Sequence, residues 1–349
     1  ISLNAKQQIT QISLSQQNEE KLILASYQYD ENDCLVCVKD ALNFSQTFQY
    51  RNDLMIQETD RNGLSFYFEY DGITHDAKCI KTWGDNKIYY RSLHYNDGHT
   101  IVTNAEGHKT EYFHNQGVVH TTIDANGGTV ITNRDNHNNI IEEIDAVGNV
   151  TSYVYDERGN ELGVVLPNGT ALSKTYQQDH LTSSIDALGG LWQWHYNEDG
   201  TLASQIDPVG NSVVYTYQNG LINKIENSDG LITQIEYNLL HQIKSIRFPD
   251  GNSEDFMYDE LGNCTEVTNI LGNKTFIRFD AKSQAIQVNE PDGNVINLVY
   301  DAEGNQIEIK DKQRHVLMEY AGMGKLTSRK ESGHKVQFFY NQDEQLLNI

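Results

Sequence analysis

A tyrosine returns along this chain on a beat of 20 or 21 residues: Tyr155, Tyr176, Tyr196, Tyr217, Tyr237, Tyr258, then Phe279, Tyr300, Tyr320 and Tyr340. The same position reads backwards through Arg134, a substituted copy, and Phe113, Tyr95, Tyr70, Tyr50 and Tyr29. Self-similarity at such a period means a repeat architecture, in which each unit buries its apolar face only by stacking on its neighbours. Residues 1–349 are therefore read as one region of about 16 repeats. The irregular stretch is 71–112, around Thr82 to Asp85, where the beat runs long and then short.

A second marker runs about ten residues out of phase with the first: Gly63, Gly84, Gly107, Gly127, Gly148, Gly169, Gly189, Gly210, Gly230, Gly251, Gly272 and Gly293. These glycines sit in stretches such as DAVGN (Asp145 to Asn149) and DPVGN (Asp207 to Asn211). Asp or Asn opens such a turn by accepting from its own backbone, and Gly takes the left-handed conformation that a Cβ penalises. Both turns of a repeat are expected to share this chemistry. Each repeat then holds two short strands and two turns, and the 4 Pro, 26 Gly and 20 Tyr of the chain suit many short strands with almost no helix.

Alternation along the strands chooses between two architectures. Two and four residues before the aromatic stand apolar groups: Tyr153, Trp194 and Trp192, Tyr215 and Val213, Phe338 and Val336. One and three before it stand Glu69, His195, Thr216, Glu236 and Gln234, with exceptions such as Tyr67 and Phe276. Propeller blades of two repeats would pack both faces, whereas a one-sided pattern fits a single antiparallel sheet with Trp194 and Phe338 in its core. Such a sheet would be on the order of 150 Å wide at ~4.8 Å per strand. Open sheets rarely pass about 10 strands, so this one is expected to coil into a hollow shell.

Lys plus Arg number 26 against 49 Asp plus Glu, a net charge of −23, so phosphate backbones are repelled and nucleic acid is not an expected partner. No run reaches the roughly 18 apolar residues of a membrane span, and the opening ISLNAKQQIT lacks a signal-peptide pattern. Cys34 and Cys37 have CxxC spacing, but no second pair accompanies them, and with Cys79 and Cys264 they read as ordinary thiols. His94, His99, His108, His114 and His120 show no paired metal spacing, and the nine-residue beat of a calcium β-roll is absent. No nucleophile elbow or phosphate loop occurs, so no catalytic residue, metal or cofactor is expected.

The copies YDERGN (Tyr155 to Asn160), YDELGN (Tyr258 to Asn263) and YDAEGN (Tyr300 to Asn305) resemble the YD repeats of the Rhs family. DRNGLSFYFEYDG (Asp60 to Gly72) followed by KTWGD (Lys81 to Asp85) is also similar to Rhs cores of bacterial polymorphic toxins. The resemblance implies a β-cocoon that encloses a C-terminal toxic domain, exported by type VI secretion or as part of a toxin complex, with relatives in the teneurins of animal cell surfaces. The expected function is thus a non-enzymatic, secreted shell, and this chain a fragment of a longer protein. Expected partners are its own C-terminal toxin domain as cargo and secretion-apparatus proteins. The alternative is a carbohydrate-binding or adhesion module. The family's self-cleaving element is not matched: Asp207-Pro208-Val209-Gly210 looks like half of it but is followed by another repeat.

The repeat aromatics Tyr29, Tyr50, Tyr70, Tyr155, Tyr176, Tyr196, Tyr217, Tyr237, Tyr258, Tyr300, Tyr320 and Tyr340 are expected to be structural, packing their rings on same-face neighbours while the hydroxyl reaches a polar edge. Trp83, in the irregular stretch, is the expected seam or plug contact.

Overall fold

The computed structural model describes residues 1–15 and 21–349. Strands follow the beat of the sequence: an outgoing strand carries the aromatic, as in Ile232–Tyr237, and a return strand follows the turn, as in Ile243–Arg247. Among the described residues, strands pair antiparallel with their chain neighbours to make one 33-stranded sheet, followed by a separate pair, Phe339–Tyr340 with Leu346–Asn348. Helix is confined there to a 3₁₀ turn, Asp85–Lys87. One unbroken ladder excludes propeller blades, which would be separate sheets.

The sheet has no second layer along most of its length. The accessible surface is 22014 Å², against roughly 14,000 Å² for a compact protein of this mass. One-sided burial is visible nonetheless: in Ser212–Gln218, Val213, Tyr215 and Tyr217 are half-buried while Val214, Thr216 and Gln218 are exposed. The expected core at Trp194 and Phe338 is only half-buried as well, because same-face neighbours along the sheet cover these rings and nothing packs above them. Cys37 and Val316 are the buried hydrophobic residues among those described.

The five-residue turns owe their uniformity to one carboxylate. In the turn from Asp156, Oδ1 accepts from the backbone N–H of Arg158 and of Asn160, each at 2.9 Å. The Asn160 side chain donates to Oδ2 at 2.9 Å, and Gly159 takes φ +87°. The turns from Asp145, Asp207 and Asp259 repeat these bonds. The expectation that every turn is of this kind fails at several hairpins. After Tyr50, Tyr176 and Tyr217 the chain reverses through two consecutive left-handed residues: Asn52-Asp53, Gln178-Asp179 and Asn219-Gly220. That is the type I′ pattern, whose twist matches the flanking strands without a capping carboxylate. A similar hairpin at Gln116-Gly117 puts His114, not Phe113, at the tyrosine position: His114 pairs with Val119 beyond the register shift, and Phe113 lies before it.

Candidate functional site

Apart from Tyr95, which faces Thr100 in an unbroken ladder, the repeat tyrosines stand where the ladder slips by one residue. Tyr29, Tyr50, Tyr70, Tyr155, Tyr176 and Tyr196 face Leu35, Met55, Cys79, Glu161, Leu181 and Leu202 at such shifts. Tyr217, Tyr237, Tyr258, Tyr300, Tyr320 and Tyr340 face Ile222, Ile243, Cys264, Gln306, Leu326 and Leu346 in the same way. A bulge takes a carbonyl out of the ladder, and the tyrosine of the next repeat meets it. Tyr217 donates to the Leu202 carbonyl at 2.9 Å, Tyr237 to Ile222 at 2.9 Å and Tyr258 to Ile243 at 2.8 Å. Tyr70, Tyr196, Tyr300 and Tyr340 make equivalent bonds to Met55, Leu181, Ala285 and Leu326, and Tyr29 reaches Ile9. Tyr320 instead turns its hydroxyl to the Met318 sulfur. Each bonded tyrosine therefore ties its own strand pair to the bulge before it. Burial holds the Tyr217 and Tyr258 hydroxyls above the ordinary phenol range.

Turns alternate between the two edges of the sheet: one edge carries the turns after the tyrosines, the other the out-of-phase glycine turns. The sheet coils until these opposite edges meet. Arg61, in a glycine-edge turn, donates its backbone N–H to Glu303 Oε1 in a tyrosine-edge turn 242 residues later, and its guanidinium lies 3.4 Å from Glu303 Oε2. At about 21 residues per repeat this is roughly eleven and a half repeats. The half repeat has a simple cause, since stacked coils must set one edge against the other and the two edges are half a repeat apart in sequence. Asn62 donates to Asp301 at 2.9 Å, and Lys282 lies 3.0 Å from Asp40 Oδ2. Farther along, the Tyr89 backbone N–H donates to the Gln342 carbonyl at 2.8 Å, and Arg91 pairs with Asp343.

The irregular segment shapes this contact. Gly84 is needed there, since a Cβ would stand 2.7 Å from Ile88 and 3.0 Å from Phe66. Asn86, Lys87 and Tyr89 are all left-handed, and Tyr89 at φ +48° is a strained conformation for an aromatic residue. Burial, then the neighbouring Glu344 carboxylate, pushes the Tyr89 hydroxyl upward in pKa. A cavity of about 460 Å³ opens between the coils, with Phe66, Phe68 and Leu64 on one side and Glu303, Asn305 and Met323 on the other. Burial at its rim raises the Asp60 carboxyl, the Leu64 amide opposes that, and the Glu303 charge adds to it.

The RHS Repeat family model matches residues 134–171, four turns and the three strands between them. That stretch of the chain is thus an RHS repeat. Its fold is similar to that of TcdB2-TccC3, with TM-score 0.52 and 14% identity over 96% of this chain and 23% of the other. TcdB2-TccC3 without its hypervariable C-terminal region gives TM-score 0.52 and 14% identity, covering 97% and 24%. A Photorhabdus luminescens Tc holotoxin pore with a mutated TccC3 gives 0.52 and 14%, covering 96% and 23%. This chain thus spans about a quarter of the length of the chains it resembles. No curated protein matches it in sequence.

The remaining sequence candidates fall at separate places in the sheet. Trp83 stacks on Tyr67, ring centroids 5.7 Å apart, on the face opposite the tyrosines; Tyr89 and Arg91, a few residues on, make the contacts across the coils. Cys34 lies in a turn and Cys37 is buried in the following strand; these two, with the half-buried Cys79 and Cys264, are free thiols. His99 stacks on Phe113 and pairs with Glu111. Among the described residues no group of three or more His, Cys, Asp or Glu is arranged to hold a metal, and no helix is long and apolar enough to cross a membrane. Sequence reasoning missed Arg61, Lys282 and Glu303. The signal was present in DALNF (Asp40 to Phe44), a turn whose fifth residue is Phe instead of Asn, so that nothing in the turn itself occupies Asp40 Oδ2.

Proposed function

We propose that this chain is a stretch of wall in a secreted toxin shell, without catalytic activity of its own, enclosing a C-terminal toxic domain for delivery to competitor or host cells. The observation that carries this reading is the coil itself: one unbroken sheet whose opposite edges dock after roughly eleven and a half repeats. The likeness in fold to TcdB2-TccC3 and to a Tc holotoxin pore favours a toxin complex over type VI export as the delivery route. Secretion-apparatus proteins are proposed partners alongside the cargo. The net charge of −23 suits a basic cargo held by long-range attraction.

The test is limited proteolysis of the full-length gene product. A C-terminal domain that survives while the shell is intact, and is digested once the shell is unfolded, is the expected result. Equal digestion in both states, or toxicity from residues 1–349 alone, would overturn the reading. The adhesion alternative has one observation in its favour: the rings of Trp192 and Trp194 stack with centroids 6.4 Å apart and planes 15° from parallel, beside a hollow of about 390 Å³. Quenching of tryptophan fluorescence across a panel of glycans would bring that reading forward.

A further inference from the structure

Among the described residues all strand pairing in the sheet runs between chain neighbours, so no ladder joins the two coils. At the centre of the contact between them lie four charges from segments about 240 residues apart. Asp40 commits Oδ1 to its own turn, accepting from the backbone N–H groups of Leu42 and Phe44 at 3.0 Å each. Its Oδ2, buried and without any partner in the turn, faces Lys282 Nζ at 3.0 Å and Arg61 Nε at 3.4 Å. Lys282 also donates to the Ala302 carbonyl at 2.9 Å and lies 5.9 Å from the centre of the Phe44 ring. Arg61 continues the chain of charges to Glu303. The Asp40, Lys282 and Arg61 side chains are only 12%, 19% and 22% exposed, so solvent screens them weakly.

We propose that Asp40, Arg61, Lys282 and Glu303 form a latch between coils: removing its charges parts the first coil from the second while every strand pair stays intact. Breaking one member of a half-buried ion cluster leaves its partners unpaired, which costs more than the intact cluster contributes. The ladders do not share that cost, because none of their hydrogen bonds crosses the seam. The seam is thus the place where a coiled sheet of this kind can open without unfolding. The proposal takes its use, as a release point, from the shell reading above, but its test needs no cargo.

The experiment compares the wild-type chain with Asp40→Asn, which keeps a turn-forming side chain and loses the charge, and with Lys282→Met. Lys224→Met, at a lysine paired within its own strand with Glu226, is the control. Three quantities are read: the radius of gyration by small-angle X-ray scattering, far-UV circular dichroism, and hydrogen exchange of the Tyr89 amide, which reports the seam at a distance from the substitutions. Expected in both latch variants are a larger radius of gyration, a loss of Tyr89 protection of about tenfold or more, the scale of one charged hydrogen bond, and an unchanged dichroism spectrum. Unchanged scattering and Tyr89 protection in both variants would overturn the latch. So would loss of strand signal together with the seam, since the contact would then be part of the fold and not a device within it. A failed latch leaves the shell reading intact, and an absent cargo leaves the seam result intact.

Discussion

The tyrosine hydroxyl is the smallest unit of this architecture. Tyr217→Phe keeps the ring and removes the bond to the Leu202 carbonyl, so a loss of about 0.5–1.5 kcal/mol is expected in urea melts. Glu236→Gln, on the exposed face, is expected to be silent. Because burial raises the folded pKa of Tyr217 and Tyr258 above the ordinary phenol value near 10, their contribution is complete below that value. It is lost as pH rises through the folded pKa. Tyr153, bonded to Glu143 at 2.7 Å, is pushed up to about 12 by that bond and then by burial. Urea midpoints at pH 8 and pH 11.5 are expected to differ, and the difference should shrink in Tyr217→Phe. The turn aspartates act in the opposite direction. Hydrogen bonds from Asn149, Asn160 and Asn211 hold Asp145, Asp156 and Asp207 below the usual carboxylate range. Their support is present above about pH 4 and is lost as pH falls through their depressed values.

At the scale of the element, the five-residue turn fixes the register of every strand pair it joins. Gly210 has φ +91° and open space where a Cβ would go, so Gly210→Ala meets no clash and its cost is backbone strain alone, about 1–2 kcal/mol. Gly210→Asn is expected to cost less, because this turn type already places Asn43 and Asn138 at the same left-handed position. Thermal melts of the two variants check the order. A reversed order would mean that something other than conformation selects glycine here.

At the scale of the whole molecule, a sheet without a second layer has only nearest-neighbour stabilisation. Repeats of this kind lose structure locally before they do so globally. In Gly210→Ala, faster hydrogen exchange is expected in the strands from Leu191 to Asn227 and not in those from Ser45 to Tyr70, although all belong to one sheet. Uniform acceleration would mean that the coil behaves as a single cooperative unit. The seam would then be the contact that couples its ends.

The sequence by itself determined the repeat, the strands and the turns, because each rests on neighbours within about 20 residues. Asp156 caps its own turn, Gly159 adopts its own φ, and Tyr217 alternates with the polar Thr216 and Gln218 that flank it. That the aromatic face would be only half-buried was not legible at Trp194, since alternation records which side faces inward and not whether a second layer arrives to cover it. The tyrosine-to-bulge bonds were half legible: a hydroxyl seeking a polar edge could be foreseen, but the one-residue slip that frees the Leu202 carbonyl is a property of the paired ladder. The seam belongs to tertiary structure alone. Twist and coil accumulated over eleven and a half repeats decide that Asp40 meets Lys282 and that Arg61 meets Glu303, and no local pattern carries a sum of small rotations over that length.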